Sequence, residues 1–497
     1  MELSPRKILK DFKNEKTNKE ITISQLISII DNSYRNNIRI EALNVLEKIN
    51  SKEERIFKLL ENLLLSDSDT EVRTNAARII RQMFKERALR PLKYAFSHET
   101  ILDPLISIIK AIAKIKNSAA KDFLTDQLQD VKLDAFHLLV KDLEEKNLKY
   151  ELNLDDLAEI LVNYYVLNDL KKKYGNITYS IKNGKAVELN LSNVNNHVFS
   201  WNILKSFPLS IKYLTNLERL DLKFNRISRV PNALGNLKSL RFLDMSSNKI
   251  RSISASFKKL NNIEELILRR NNLRDLPKSM GNINSLKKLD LRANKIKGLP
   301  NSFQKLTSLE NLDLHGNKLH KFPFFLSELN NLKILELGKN LISKLPKEAV
   351  PLPNLRKLGL EGNRLTEIPN WICKFKSLRE LNLSNNEISE IPKSIGELEN
   401  LKILSLWNNN LEELPFAITS LKCLKNLNLS WNNFTSFPNS LEKLESLEII
   451  SLWGNKIKEI PHSLVNMPSL KILDLNFNEL EHIPIDLKNK KNLIIYK

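Results

Sequence analysis

Glycine is scarce, with 11 in 497 residues. Nucleotide-binding α/β folds put glycines at fixed turns where backbone must approach a phosphate, so the scarcity argues against them. Only two cysteines occur, Cys373 and Cys423, too few for a disulfide framework. Reduced thiols and a cytoplasmic location are the expectation. No run of about 18 uncharged apolar residues is present, so no membrane span is expected. The best candidate, Ile101 to Ile115, is interrupted by Asp103, Pro104, Lys110 and Lys114. The opening Met1-Glu2-Leu3-Ser4-Pro5-Arg6 has no apolar signal-peptide core. No Gly-rich loop ends in Lys-Ser/Thr, and no His-Glu-x-x-His occurs. The seven histidines are scattered and not spaced with carboxylates as a metal set requires. These absences predict a protein that is no enzyme and holds no cofactor and no metal.

What is present is apolar content of 42%, enough to fold, in a chain too long for one ordinary core. The net charge of +20 is uneven. Residues 1–180 carry a net +2, residues 341–497 another +2, and residues 181–340 hold 28 Lys+Arg against 12 Asp+Glu. A field of that sign favours acidic partners, nucleic acid or anionic surfaces, or serves only to solubilise.

From Leu217 the text reads L-x-x-L-x-L-x-x-N through Leu220, Leu222 and Asn225. The pattern returns every 23 residues at Asn248, Asn271, Asn294, Asn317, Asn340, Asn363, Asn386, Asn409, Asn432, Asn455 and Asn478. A Leu/Ile-Pro step follows in most copies, as in Leu276-Pro277 and Ile391-Pro392, with Ile253-Ser254 as a departure. The sequence resembles the leucine-rich-repeat family in its short 23-residue form. The L-x-L core has period two, so each repeat contributes a short strand with leucines inward, stacked in parallel on its neighbours. Each asparagine ends a strand, and its amide is suited to satisfying buried loop peptides. The twelve asparagines are therefore read as a structural ladder. The expected fold is an α/β leucine-rich-repeat solenoid over 185–497, closing with the strand of a thirteenth repeat at Leu493-Ile494-Ile495-Tyr496.

Residues 1–170 read as an all-α module, with apolar residues at helical spacing. Ile38-Arg39, Val72-Arg73, Ile101 and Val131-Lys132 open four weakly similar segments at intervals of 34, 29 and 30 residues. The stretch Ser66-Asp67-Ser68-Asp69-Thr70-Glu71-Val72-Arg73 resembles the inter-helix turn of HEAT repeats, and its acidic groups suit a helix N-terminus. A helix over 155–174 is expected to dock this module onto the first repeat. Residues 171–184 form a linker and capping hairpin with an Asn183-Gly184 turn.

The third, fifth, seventh and eighth positions of each repeat face away from the core. The early part of that face mixes Arg269, Arg270 and Arg292 with an acidic fifth column of Asp221, Asp244, Asp290 and Asp313. That mixture suits a charged protein and repels phosphates. The late part gathers Trp407, Trp431, Trp453 and Phe477, with Ile403, Ile449 and Ile472 in the third column. Exposed aromatic patches mark interaction sites. The expected function is a protein–protein interaction scaffold gripping a partner on its concave strand face. The family resemblance implies a protein partner, a small GTPase or signalling protein among the possibilities. The alternative is a non-specific nucleic-acid-binding adaptor using the basic segment 181–340.

Overall fold

The structure, a computed structural model, describes residues 4–145, 151–175, 177–193, 204–348 and 352–497. The chain divides into two compact units, Met1–Leu189 with Pro208–Leu217, and Asn190–Phe207 with Glu218–Lys497.

The first unit holds ten α-helices among the described residues: α1 (Pro5–Lys13), α2 (Lys19–Asn32), α3 (Asn36–Ile49), α4 (Glu54–Ser66), α5 (Thr70–Phe84), α6 (Leu89–His98), α7 (Leu102–Ala113), α8 (Ser118–Gln127), α9 (Asp134–Glu145) and α10 (Leu154–Tyr174). Polar side chains start several of them. Asn18, Asp69, Asn117 and Asn153 each accept a first-turn N–H, satisfying donors that have no intrahelical partner. α3, α5 and α7 pack in sequence as one layer, and α4 packs on α6 in the other. Arg39 and Arg73, 34 residues apart, repeat one role. Arg39 donates to the Ile30 carbonyl at 2.8 Å and pairs with Asp67; Arg73 donates to the Asp67 carbonyl at 2.7 Å and pairs with Glu99 at 2.7 Å.

The fourth segment departs from the expected alignment. The helix opening near Val131 is α9, whose buried residues are only Phe136 and Val140. It is α10 that packs against both α7 and α8. With 21 residues and an apolar surface on several sides, α10 buries more than α9 offers. Within this unit, the Asn163 side chain on α10 accepts the buried Ala186 N–H at 2.8 Å, and Glu159 pairs with Lys185 at 2.7 Å. Ala186 and Lys185 belong to the second strand of a hairpin, Thr178–Lys182 and Lys185–Asn190. Its turn residues have φ of 51° at Asn183 and 72° at Gly184, the pair of positive values that a type I′ turn requires.

In the second unit the repeats are numbered one to twelve by their asparagines. Each contributes a three-residue strand, from Arg219–Asp221 to Ile472–Asp474, and a final strand Ile494–Tyr496 pairs with the last. Every pairing is parallel and in register, as Leu220 to Leu243 and Leu381 to Leu404 show. The pattern leucines are sealed inside; Leu220, Leu222, Leu240 and Leu243 are fully buried. On the opposite leg most described repeats form one 3-10 turn after the proline, such as Lys393–Glu397 after Pro392 at φ −67°. Ser254 takes the proline's place at φ −68°, and its hydroxyl accepts the Ser256 N–H at 3.1 Å.

The asparagines tie neighbouring repeats together. Asn271 accepts the Ile250 N–H from the preceding repeat at 2.9 Å. It donates to the Met245 carbonyl of that repeat at 3.0 Å and to its own Leu268 carbonyl at 2.9 Å. The same three bonds recur at Asn294, Asn386 and Asn455. Asn225 to Asn455 are 5–8% exposed, and Asn478, in the last of the twelve repeats, is half-buried.

Candidate interaction face

The strand pleat sends the third, fifth and seventh residues of each repeat out of the core. The eighth residue is different in kind. Its backbone is left-handed in all twelve repeats, including Phe224 (58°), Arg270 (54°), Lys339 (47°), Trp431 (53°) and Phe477 (55°). Sequence reasoning missed this, although Gly316, Asn385, Asn408 and Gly454 in the same column carried the signal.

The acidic fifth column also has a local task. The carboxylates of Asp221, Asp244, Asp290 and Asp313 each accept the N–H two residues on, at 2.8–3.1 Å. They close the strand's end as Asx turns do. Asp290 and Asp313 also hold the Arg292 guanidinium, at 2.7 and 3.1 Å. Arg292 is therefore engaged within the fold. Arg269 is half-buried, Arg270 is exposed, and neither side chain pairs with an acid among the described residues.

Repeats five to seven bring together carboxylates that their sequence positions separate. His315 Nδ1 lies 3.0 Å from Glu361 Oε1, and Glu336 pairs with Lys357 at 3.0 Å. Gly338 and Gly359 supply the room, because a Cβ at either would overlap the Glu361 or Glu336 carboxylate. Burial pushes the Asp313 carboxyl up to about 6 and raises Glu336 as well. Among the described residues no group of His, Cys, Asp and Glu is arranged to hold a metal ion.

In the late repeats three rings pack in a row. Trp431 and Trp453 meet edge to face with centroids 5.6 Å apart, and Trp453 tilts against Phe477 at 5.9 Å. Trp431 leans toward repeat eleven because Gly454 leaves space there; a Cβ at Gly454 would lie 3.0 Å from Trp431 Cδ2. Trp407, expected beside the others, is half-buried and makes no ring contact with them. Trp431 turns away from its repeat, and the buried Ser430 fills the seventh position between Trp407 and Trp453. Ile449 and Ile472 are register neighbours, whereas Asn426 separates Ile403 from Ile449. Trp431 and Phe477 are the exposed rings, at 47% and 78%. No described helix is long and apolar enough to cross a membrane.

A parallel-strand sheet of unclosed curvature, one strand per repeat and tied by an Asn ladder, is the architecture of a leucine-rich-repeat solenoid. Family models described as leucine-rich repeat region, leucine rich repeat, and leucine rich repeats (2 copies) match residues 371–489, 261–319 with 323–365, and 215–259. The chain belongs to the leucine-rich-repeat proteins, preceded by an all-helical region, and none of the matched models describes a catalytic domain. Among solved structures it is similar to a leucine-rich-repeat protein of Leptospira interrogans, at 26% identity over 66% of this chain and 98% of that one, TM-score 0.50. An internalin, InlF of Listeria monocytogenes, shares the fold at 23% identity over 67% and 94%, TM-score 0.55. The PEPR1–AtPEP1 structure matches at 27% identity over 65% of this chain and 50% of that one, TM-score 0.52. No curated protein matches the sequence.

Proposed function

We propose that this protein is a non-catalytic interaction scaffold whose protein partner docks on the strand face of repeats nine to twelve. The observation that carries the reading is the pair Trp431 and Phe477, large apolar side chains held in left-handed backbone and exposed. A residue with a Cβ sits about 1–2 kcal/mol higher there than in right-handed geometry. Asn385 and Asn408 in the same column meet the backbone requirement at lower cost. Phe477, at 78% exposure, leaves most of its ring outside the fold, so its value lies in contact with something outside. Burying such a ring on binding removes about 150–250 Å² of surface, and tryptophan is enriched where truncation costs about 2 kcal/mol or more.

Arg269 and Arg270, without an acidic partner among the described residues, extend the surface toward an acidic partner. A small GTPase or another signalling protein is a partner class suggested by analogy of fold alone. The two unpaired cysteines, Cys373 buried and Cys423 exposed, favour a cytoplasmic setting. The test is capture from cell extract with the full chain and with its Trp431→Asn/Phe477→Asn variant, followed by mass spectrometry and titration of the partner found. Asparagine suits left-handed backbone, so the variant should keep its thermal midpoint while partner affinity falls about tenfold or more. Equal affinity for both proteins would remove the aromatic face from the reading.

A further inference from the structure

The positive charge of the early repeats is partly neutralised on the strand face, where Lys223, Lys288 and Arg292 each sit against a carboxylate, while Arg269, Arg270 and Lys339 have no acidic partner among the described residues. Its longest run of unpaired cations lies on the loops that leave the strands just past each asparagine. The ladder dictates the geometry of that edge. The second residue after each asparagine is buried, as Ile250 and Leu273 are, and its N–H is held by the asparagine of the next repeat. The first residue after each asparagine donates back to the preceding loop: Lys249 to Ile227, Lys295 to Leu273 and Lys318 to Ile296, at 2.8–2.9 Å. The loops of repeats one to six are thus zipped side by side, about 4.8 Å apart as neighbouring strands are. The first and third residues flank the buried one and face solvent.

Arg226, Lys249, Lys295 and Lys318 occupy the first column of that edge. Arg251, Arg274 and Lys297 occupy the third, and Arg229, Lys321 and Lys344 the fourth. All ten are exposed, and none forms an ion pair among the described residues. Asp275 is the one acid in these columns through repeat six. From repeat seven the sign reverses, with Glu367, Glu387, Glu390, Glu412 and Glu413 exposed in the same columns and Arg364 as the one cation through repeat nine.

We infer that the edge of repeats one to six binds the phosphate backbone of double-stranded nucleic acid without reading its sequence. A protein interface draws its stability from a desolvated apolar core, and exposed ion pairs add little to it. This edge has the charge and lacks the core: its columns hold one apolar residue, the half-buried Leu341. A polyanion is the ligand for which unpaired cations suffice, because each phosphate neutralised releases condensed counterions. Single strands call for stacking platforms and membranes for apolar side chains that insert; His320 is the only ring in the columns. Five repeat intervals span roughly 24 Å, or about seven base pairs of duplex. The glutamates from Glu367 onward repel phosphate and end the footprint there. The site is separate from the aromatic face, so the scaffold reading and this one fail independently.

The test titrates the full chain with two short labelled DNA duplexes of unrelated sequence, between about 50 and 200 mM salt. Equal affinities that fall steeply with salt are expected. The variant Arg226→Gln/Lys249→Gln/Lys295→Gln/Lys318→Gln should reduce the slope of log K against log salt by roughly 3 to 4. Glu387→Lys/Glu390→Lys should tighten binding by lengthening the basic edge. The inference is overturned if the fourfold variant binds duplex as the wild type does. It is also overturned if polyglutamate, or vesicles containing phosphatidylserine, bind better than duplex at equal charge concentration.

Discussion

His315 and Glu361 belong to the fifth and seventh repeats, yet their side chains meet at 3.0 Å across the bare backbone of Gly338 in the sixth. The contact depends on a missing Cβ. Gly338→Ala should displace the Glu361 carboxylate and lower stability by about 1 kcal/mol. In a Glu361→Ala background the same substitution should cost almost nothing, since the displaced group is gone. Urea midpoints of the two single variants and the double variant check this, and additive effects would show that the residues do not compete for space.

Asp313 predicts a pH dependence. Burial raises its folded pKa to about 6 from an ordinary 3.8, so the folded chain holds this proton more tightly than the unfolded chain. Its contribution is fully present below the ordinary value and is lost as pH rises through about 6. Asp313→Asn removes that loss and should stabilise the protein at neutral pH. With 23% of the side chain still wet, the gain is on the order of 1–2 kcal/mol. It should vanish below about pH 4. Denaturation at both pH values decides; a loss of stability at neutral pH would mean that the pair with Arg292 outweighs burial.

Asn294→Ala should leave the Leu273 N–H without an acceptor and two carbonyls short of a donor, costing about 3 kcal/mol. Asn478→Ala makes the same deletion where the side chain is half-buried, and should cost less because water reaches the freed groups. Urea titration followed by circular dichroism measures both. Equal costs would argue that burial does not set the value of the ladder.

Phe224 carries left-handed backbone at φ 58° with half its surface exposed. Phe224→Asn should raise stability by roughly 0.5–1 kcal/mol by easing that backbone. A fall in the thermal midpoint would show that the ring contributes more packing than its exposure suggests.

In the helical unit, Arg73→Met should cost about 3 kcal/mol, because it strands Glu99, only 7% exposed, without its charge partner. Calorimetry of the full chain should show the loss in one transition or one shoulder, leaving the remaining heat uptake in place. A neutral result would mean that Glu99 is rehydrated by local opening.

The strand register, the inward leucines and the position of every ladder asparagine were legible in the text, because each follows from a period-two strand and one repeated interval. The Asn183-Gly184 turn was legible for the same reason: two adjacent residue types nearly dictate the backbone. The left-handed eighth column was written there too, in Gly316, Asn385, Asn408 and Gly454, and its regularity was overlooked. Other features belong to the tertiary structure alone. That α10 and not α9 packs on α7 depended on which helix buries more surface, a comparison between segments that no local pattern contains. Trp453 joins Trp431 and Phe477 while Trp407 stands apart, because Gly454 opens space on one side of Trp431 and nothing equivalent opens on the other. The basic residues of repeats one to six were countable from the start. The alignment of ten of them along one edge, apart from the strand-face carboxylates that hold Lys223, Lys288 and Arg292, needed the loops to be stacked first. A repeat's own period sets which way its residues point, but pairs such as His315 with Glu361 and Lys357 with Glu336 exist only because another repeat supplies the partner.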